Sequence, residues 1–268
     1  MFGGYTTIIL LTATAGTPTG AQPAPPQPLQ APKSSWAVRS FEPTPARLVY
    51  TSARALGMLR GIAEEDEIVR IRYQGSGTGA DAGGRMVPLG NYYVEISYAR
   101  NAMRVDTTTS AGRRVEVVSG TRAWDELDLR PDGPPVGVAQ TAKDSEVRMR
   151  RRQLAVTPIG AIKAAHANLA KARVRPLEHG TFELSFPHDG ETMKITLDRN
   201  RRPAKVELGP LSAEYSNYKD YEPIDPQLSD EPLSDLFFPQ RIVQRVNGKA
   251  SLDVQIKTCW CVNPYVVF

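Results

Sequence analysis

The sequence predicts an α+β fold: a strongly curved antiparallel β-sheet, a half-barrel, with an N-terminal helix and a mid-chain helical pair covering its concave face. Three observations carry this. Two segments, Tyr92 to Thr108 and Phe182 to Asp198, alternate apolar and polar residues with the period of two that a half-buried strand requires. Each folds back on itself about a short turn so that apolar residues oppose apolar residues. And two helix-patterned stretches fall between them in the chain, with Ile159, Ile162, His166 and Leu169 on one face of the second.

The first 21 residues read as an export signal. Tyr5 to Ala15 is uncharged and mostly apolar or small, and Thr19-Gly20-Ala21 supplies small residues for cleavage. No Lys or Arg precedes the apolar run, and an uncleaved anchor fits the same stretch, although it is shorter than the ~20 residues a spanning helix needs. No other segment is a membrane candidate. The only cysteines, Cys259 and Cys261, lie far from the cleavage site, which argues against a lipid anchor. The expected location is the periplasm or beyond. Residues 22–43 follow as an arm containing six prolines, extended in the polyproline manner, and 44–268 form one domain.

Thr44-Pro45 opens a helix with Thr as N-cap and Pro at the first helical position, carrying Leu48, Leu56 and Leu59 toward a stop at Gly61. A strand follows with Ile68, Arg70 and Arg72 on one side and Val69, Ile71 and Tyr73 on the other. Gly75 to Arg85 holds five glycines and reads as a loop; it lacks the Lys-Ser/Thr ending of a phosphate-binding loop. In the first hairpin a two-residue loop at Arg100-Asn101 sets Tyr98 opposite Met103, Ile96 opposite Val105 and Val94 opposite Thr107. Arg113 to Gly120 is a fourth strand, with Val115 and Val117 on one side. Leu127 to Val138 is rich in Pro and Gly and breaks the sheet.

Helices are expected near Lys143–Val156 and Pro158–Ala172. In the second hairpin Asp189-Gly190 sets Phe186 opposite Met193, Leu184 opposite Ile195 and Phe182 opposite Leu197, on a preferred two-residue turn. Strands at Ala204–Leu208 and Leu211–Lys219 and a hairpin turning at Asn247-Gly248 complete the chain. The order is a helix, about four strands, two helices and about six strands.

The formal charge is +4 overall, but nine Lys or Arg stand against two acids between Lys143 and Arg175. That leaves an excess of seven positive charges there and three negative elsewhere. Arg148, Arg151 and Arg152 share one helical face and form a basic patch, which suits an acidic partner or an anionic lipid surface; in an exported chain nucleic acid is not the expected partner.

Catalytic patterns are sparse. His166, His179 and His188 have no second His or Cys at metal-ligand spacing, and no Gly-x-Ser-x-Gly elbow occurs. Asp125 and Glu126 are adjacent on a strand and point to opposite faces, so they cannot flank one bond; Glu95 and Asp106 oppose each other if the hairpin register holds. Tyr215 and Tyr218 fall on opposite strand faces and make no stacking platform. Cys259 and Cys261, two apart on a strand, sit at the outer limit for a disulfide; packing thiols, a bridge at a bulge, and metal or redox use all remain open. No cofactor is implied.

What remains is the apolar face. The candidate ligand-binding residues are Val94, Ile96, Tyr98, Met103 and Val105 from the first hairpin, Phe182, Leu184, Phe186, Met193, Ile195 and Leu197 from the second, and Ile162 and His166 from the helix over them. Met103 and Met193 suit a yielding apolar site. A filled core is the alternative use of the same residues.

This organisation resembles the superfamily of periplasmic lipoprotein carriers, LolA and LolB, and their relative RseB. The segments Val118-Ser119-Gly120-Thr121-Arg122-Ala123-Trp124-Asp125 and Val262-Asn263-Pro264-Tyr265 are similar to secreted bacterial proteins of this fold. The likeness covers most of 44–268 in architecture, with no functional motif matched residue by residue. It implies a non-catalytic protein of the Gram-negative envelope that binds lipid-like or acylated ligands. A second expectation is an accessory subunit that docks on a larger envelope assembly through its Pro-rich arm or a sheet edge.

Overall fold

The computed structural model describes residues 43–60, 65–66, 68–81, 83–127, 139–221 and 236–261. The export signal, the Pro-rich arm, most of the Pro- and Gly-rich stretch after Leu127 and the closing Val262 to Tyr265 lie outside these residues.

The chain opens with α1 (Pro45–Ala55), and Thr44 caps it as expected, its Oγ1 accepting the Arg47 amide at 3.3 Å. The helix stops earlier than Gly61. Leu56 is the C-cap and Gly57 follows at φ +74, a left-handed conformation that glycine adopts without penalty. Leu59 therefore lies outside the helix, in a two-residue strand β1 (Leu59–Arg60) paired with β2 (Glu65–Asp66).

Six strands follow: β3 (Arg70–Ala80), β4 (Met86–Ser97), β5 (Ala102–Thr109), β6 (Gly112–Ser119), β7 (Arg122–Leu127) and β8 (Ala139–Ala142). Helices α2 (Val147–Ala155) and α3 (Pro158–Ala167), each flanked by a short 3-10 turn, lead to seven more: β9 (Arg173–Pro176), β10 (Phe182–His188), β11 (Glu191–Leu197), β12 (Pro203–Leu208), β13 (Leu211–Asp220), β14 (Phe237–Val246) and β15 (Lys249–Cys261). The sheet's edge strands β8 and β9, which the sequence did not announce, are four-residue pieces, too short to display an alternating pattern.

All thirteen strands from β3 onward form one antiparallel sheet in the order β8-β7-β6-β5-β4-β3-β15-β14-β13-β12-β11-β10-β9. It is two meanders, β3 to β8 and β9 to β15, joined where β3 pairs with β15. The glycine-rich stretch forms much of this seam. Gly75 to Ala80 is strand, not loop, and a Cβ on Gly75 or Gly77 would stand 2.3 or 2.1 Å from the Gln255 or Asp253 carbonyl oxygen of β15. Glycine is required there by the closeness of two backbones, a demand that reads in sequence like a loop.

The second hairpin has the expected register in full: Phe182 faces Leu197, Leu184 faces Ile195, Phe186 faces Met193, and Asp189 and Gly190 turn at φ +47 and +78. The first hairpin does not. Ile96 pairs with Met103 and Val94 with Val105, and the turn takes four residues, 98–101. Tyr98 leaves the ladder because its amide bonds Val69 O at 2.9 Å; Asn101, at φ +47, closes the turn on Tyr98 O at 3.3 Å. The slip is of two residues, so every side chain keeps its face. Asp106 consequently pairs with Tyr93, not Glu95.

One face of the sheet carries the core. It is continuous from Val94, Ile96 and Met103 through Tyr73, Val254 and Ile242 to Leu184 and Met193, and is covered by Leu48 and Leu56 of the first helical segment and by Leu154, Ile159 and Ile162 of α2 and α3. Tyr215, Tyr218 and Tyr221 all pack on it; Asn217, at φ +55, breaks the pleat between the first two, so they do not take the opposite faces that simple alternation gives. No described helix is long and apolar enough to cross a membrane.

Candidate functional site

The apolar residues singled out in the sequence come together. Val94, Ile96, Leu184, Met193, Ile195 and Leu197 are wholly buried, and Tyr98, Met103, Phe182 and Phe186 nearly so; Val105 is half-buried against them. Ile162 enters the same cluster from α3 with Ile159, Ala161 and Ala165. The space between sheet and helices is thus packed with side chains, as a closed interior is.

His166 is a correction. It is exposed, like Ala167, because the last turn of α3 runs beyond the cluster that buries Ile159 and Ile162.

The turn between α2 and α3 is fastened by both halves of the sheet. Thr157 Oγ1 donates to Leu154 O at 2.8 Å and accepts the Gly160 amide at 3.2 Å, so Tyr98 donates its hydroxyl to the same oxygen at 3.1 Å. From β13, Tyr215 donates to Val156 O. Burial pushes both phenols well above the usual tyrosine range, so they remain neutral donors.

The basic patch is also corrected. Its three arginines do not stand free in water; α2 lies over the tip of the β10–β11 hairpin, whose turn supplies acids. Arg151 meets Asp189 at 2.8 Å, Arg152 meets Glu191 at 2.6 Å, and Arg148 meets Glu191 at 3.2 Å. The Arg152 hydrogen bonds hold the Glu191 carboxyl below the usual range. Gly209, at φ +58 between β12 and β13, leaves room for that carboxylate: a Cβ there would stand 2.6 Å from Glu191 Oε2.

The arginine between them, Arg150, is the residue that the sequence reading missed. It is 3% exposed, donates to Val117 O at 3.0 Å and Trp124 O at 2.7 Å, and binds Asp125 Oδ1 at 2.6 Å and Glu146 Oε2 at 2.5 Å. Glu116 lies 3.5 Å away. Glu116, Asp125 and Glu146 bring carboxylate oxygens within 4.8 Å of one another, a geometry open to a cation, and the guanidinium is the cation that fills it. Burial raises the Glu116 carboxyl despite Arg114 and Arg150. The signal was positional: Arg150 lies four residues before Leu154 on the buried stripe of α2. Glu126 points away, as its neighbour's opposite, to Arg104 at 3.0 Å.

Where the two hairpin tips approach the helices there is a pocket of about 230 Å³. Leu154, Ala155, Gly160, Ala164 and Ala167 form its apolar wall. Tyr98 and Asn101 come from the first tip, His188 and Asp189 from the second, and Arg151 and Lys163 from the helices. Lys163 pairs with Asp66 and stands 5.4 Å from the Tyr98 ring centre. Cys259 is buried and Cys261 half-buried in the same strand; both are thiols, so the bridge considered from their spacing is not made.

No family model matches the sequence, and no curated protein matches it. Among solved structures, a LolA superfamily protein from Nitrosomonas europaea matches 82% of this chain and 94% of its own, at 12% identity and a TM-score of 0.44.

Proposed function

We propose that this chain is an exported, non-catalytic binding protein of the cell envelope that holds a lipid-like or acylated ligand between the sheet and the α2–α3 pair. The observation that carries this reading is the composition of that space: two matched hairpins and two short helices meet there chiefly through aliphatic and aromatic side chains, with charged groups gathered at the β10–β11 tip and in the Arg150 cluster under α2. A short helix held by a few such contacts opens at the cost of local rather than global unfolding. Displaced outward, α2 and α3 leave an apolar trough of the kind that takes an alkyl chain.

The half-barrel shape belongs to the same proposal. Arg150 bonds the Val117 carbonyl in β6, and Arg152, two residues on, binds Glu191 in β11. Those strands are eight places apart in the sheet, about 38 Å if it lay flat at ~4.8 Å per strand. The whole of α2 is only about 13 Å long. Strong bending of the sheet around the helices accounts for both contacts.

The test joins the lid to the sheet. With Arg151→Cys and Asp189→Cys linked by a short bis-maleimide, a fluorescent long-chain fatty acid should no longer enter, whereas the unlinked double variant and each single variant treated alike should bind it saturably. Equal binding with and without the link, or no saturable binding by any form, overturns the reading.

The packed interior favours a second reading, in which the same core is only structural and the protein serves as an accessory subunit of an envelope assembly. Native mass spectrometry of protein taken from its own envelope separates the two: a bound acyl ligand supports the first, and a stoichiometric protein partner without one supports the second.

A further inference from the structure

We propose that the pocket between the two hairpin tips and α3 binds a compact aliphatic anion, a carboxylate or phosphate on a stem of a few carbons, with Lys163 as its anchoring cation. This deepens the carrier reading and rests on it only for where a longer chain would run.

Size and lining select this chemistry. The pocket is small, at about 230 Å³. It suits a stem of a few carbons better than a complete long acyl chain. Leu154, Ala155, Ala164 and Ala167 give one wall no hydrogen-bonding side chain, so a bare anion would face that wall without partners. An aliphatic stem fits against it. The rest of the lining is largely polar, with Asn101 and His188 from the two tips and the cations Lys163 and Arg151 from the helices. Asp189 is the acid among these lining residues, so the cations outnumber it.

The existing ion pairs do not close the site. Arg151 and Asp189 are 42% and 45% exposed, and a pair so open to water is worth little. Exchanging Asp189 for a ligand anion costs correspondingly little. Lys163 is more sheltered, at 25% exposure, and is already fixed over the Tyr98 ring and against Asp66. Its ammonium has three donors, so it can keep Asp66 and still present one to the pocket. Arg151 adds a second cation, and its planar fork suits either carboxylate or phosphate.

Amide chemical shifts of the full chain, followed during titration with hexanoate, hexyl phosphate, hexylamine and inorganic phosphate, test this. Hexanoate and hexyl phosphate should shift Asn101, Gly160, Ala164 and His188 saturably, and inorganic phosphate should bind about tenfold more weakly for want of a stem. Lys163→Gln, with its amide spectrum otherwise native, should weaken hexanoate about tenfold; Lys194→Gln, an exposed lysine on β11, should not. Equal binding of hexylamine, undiminished binding by Lys163→Gln, or shifts located elsewhere overturn the proposal, and inorganic phosphate matching hexyl phosphate overturns its aliphatic half. A six-carbon probe cannot fill the interior. Hexanoate binding with exclusion of the long-chain probe therefore sinks only the carrier reading, and the reverse result sinks only this one.

Discussion

Tyr98 and Tyr215, which stand on opposite sides of the β3–β15 seam, hydrogen-bond consecutive residues of a single turn: Tyr98 donates to Thr157 Oγ1 at 3.1 Å and Tyr215 to the carbonyl of Val156. The α2–α3 turn is thus tied to both meanders of the sheet at one point. Removing either hydroxyl leaves an acceptor in a buried site. Tyr98→Phe and Tyr215→Phe should each lower stability by about 1 kcal/mol, read from urea unfolding, and should raise amide exchange in α2 and α3 more than in β10 and β11. Exchange that rises uniformly would show that the turn is not a separate fastening.

Arg150 is the more consequential contact. Replacing it with Ala strands Asp125 in a site nearly closed to water, and the loss should be about 3–5 kcal/mol by chemical denaturation. Arg150→Lys should recover only part of it, because one ammonium cannot satisfy two carbonyls and two carboxylates in the planar arrangement that the guanidinium meets.

Glu116 gives that cluster a pH dependence of definite sign. Its folded carboxyl is raised above the ordinary 4.5, chiefly by burial. The folded state therefore holds the proton more tightly than the unfolded one. The resulting stabilisation is fully present below pH 4.5 and is lost as pH rises through the raised folded value. Glu116→Gln should remove this slope, visible as a flatter plot of unfolding free energy against pH just above 4.5.

The Glu191 clasp has the opposite sign. Arg152 lowers its carboxyl below 4.5, so its contribution is present above that pH and fades as pH falls through the lowered folded value. Arg148→Gln, Arg151→Gln and Arg152→Gln together should loosen α2 at neutral pH, measured as faster amide exchange across 147–155, and should abolish the acid-side loss. Gly209→Ala should act on the same clasp, costing about 1–2 kcal/mol for a left-handed alanine and displacing the Glu191 carboxylate.

Gly77→Ala tests the seam. A methyl group 2.1 Å from the Asp253 carbonyl oxygen must push β3 from β15, the one pairing that joins the two meanders. A loss of about 3 kcal/mol is expected, with a lower unfolding midpoint in guanidinium; Gly83→Ala, in the turn beyond β3, should cost far less.

The sequence by itself determined the strands that carry an alternating pattern and the face that most of them bury. Side-chain direction in a strand has a period of two, so Phe182, Leu184 and Phe186 announce both their strand and their side, and Asp189-Gly190 announces the turn that fixes their register. Thr44 and Pro45 announce a helix start in the same local way. What the tertiary structure alone decided are the contacts between residues far apart in the chain. Gly75 and Gly77 look like a loop until β15 arrives with its carbonyls; the four-residue turn at 98–101 depends on Val69; and the fate of four arginines in one short helix depends on which acids face it. Arg148, Arg151 and Arg152 are alike in sequence to Arg150, yet three clasp an exposed hairpin tip and one is sealed beneath the helix. Periodicity records which way a side chain points. It carries no record of the charge it will meet there, because that partner is brought by a different strand.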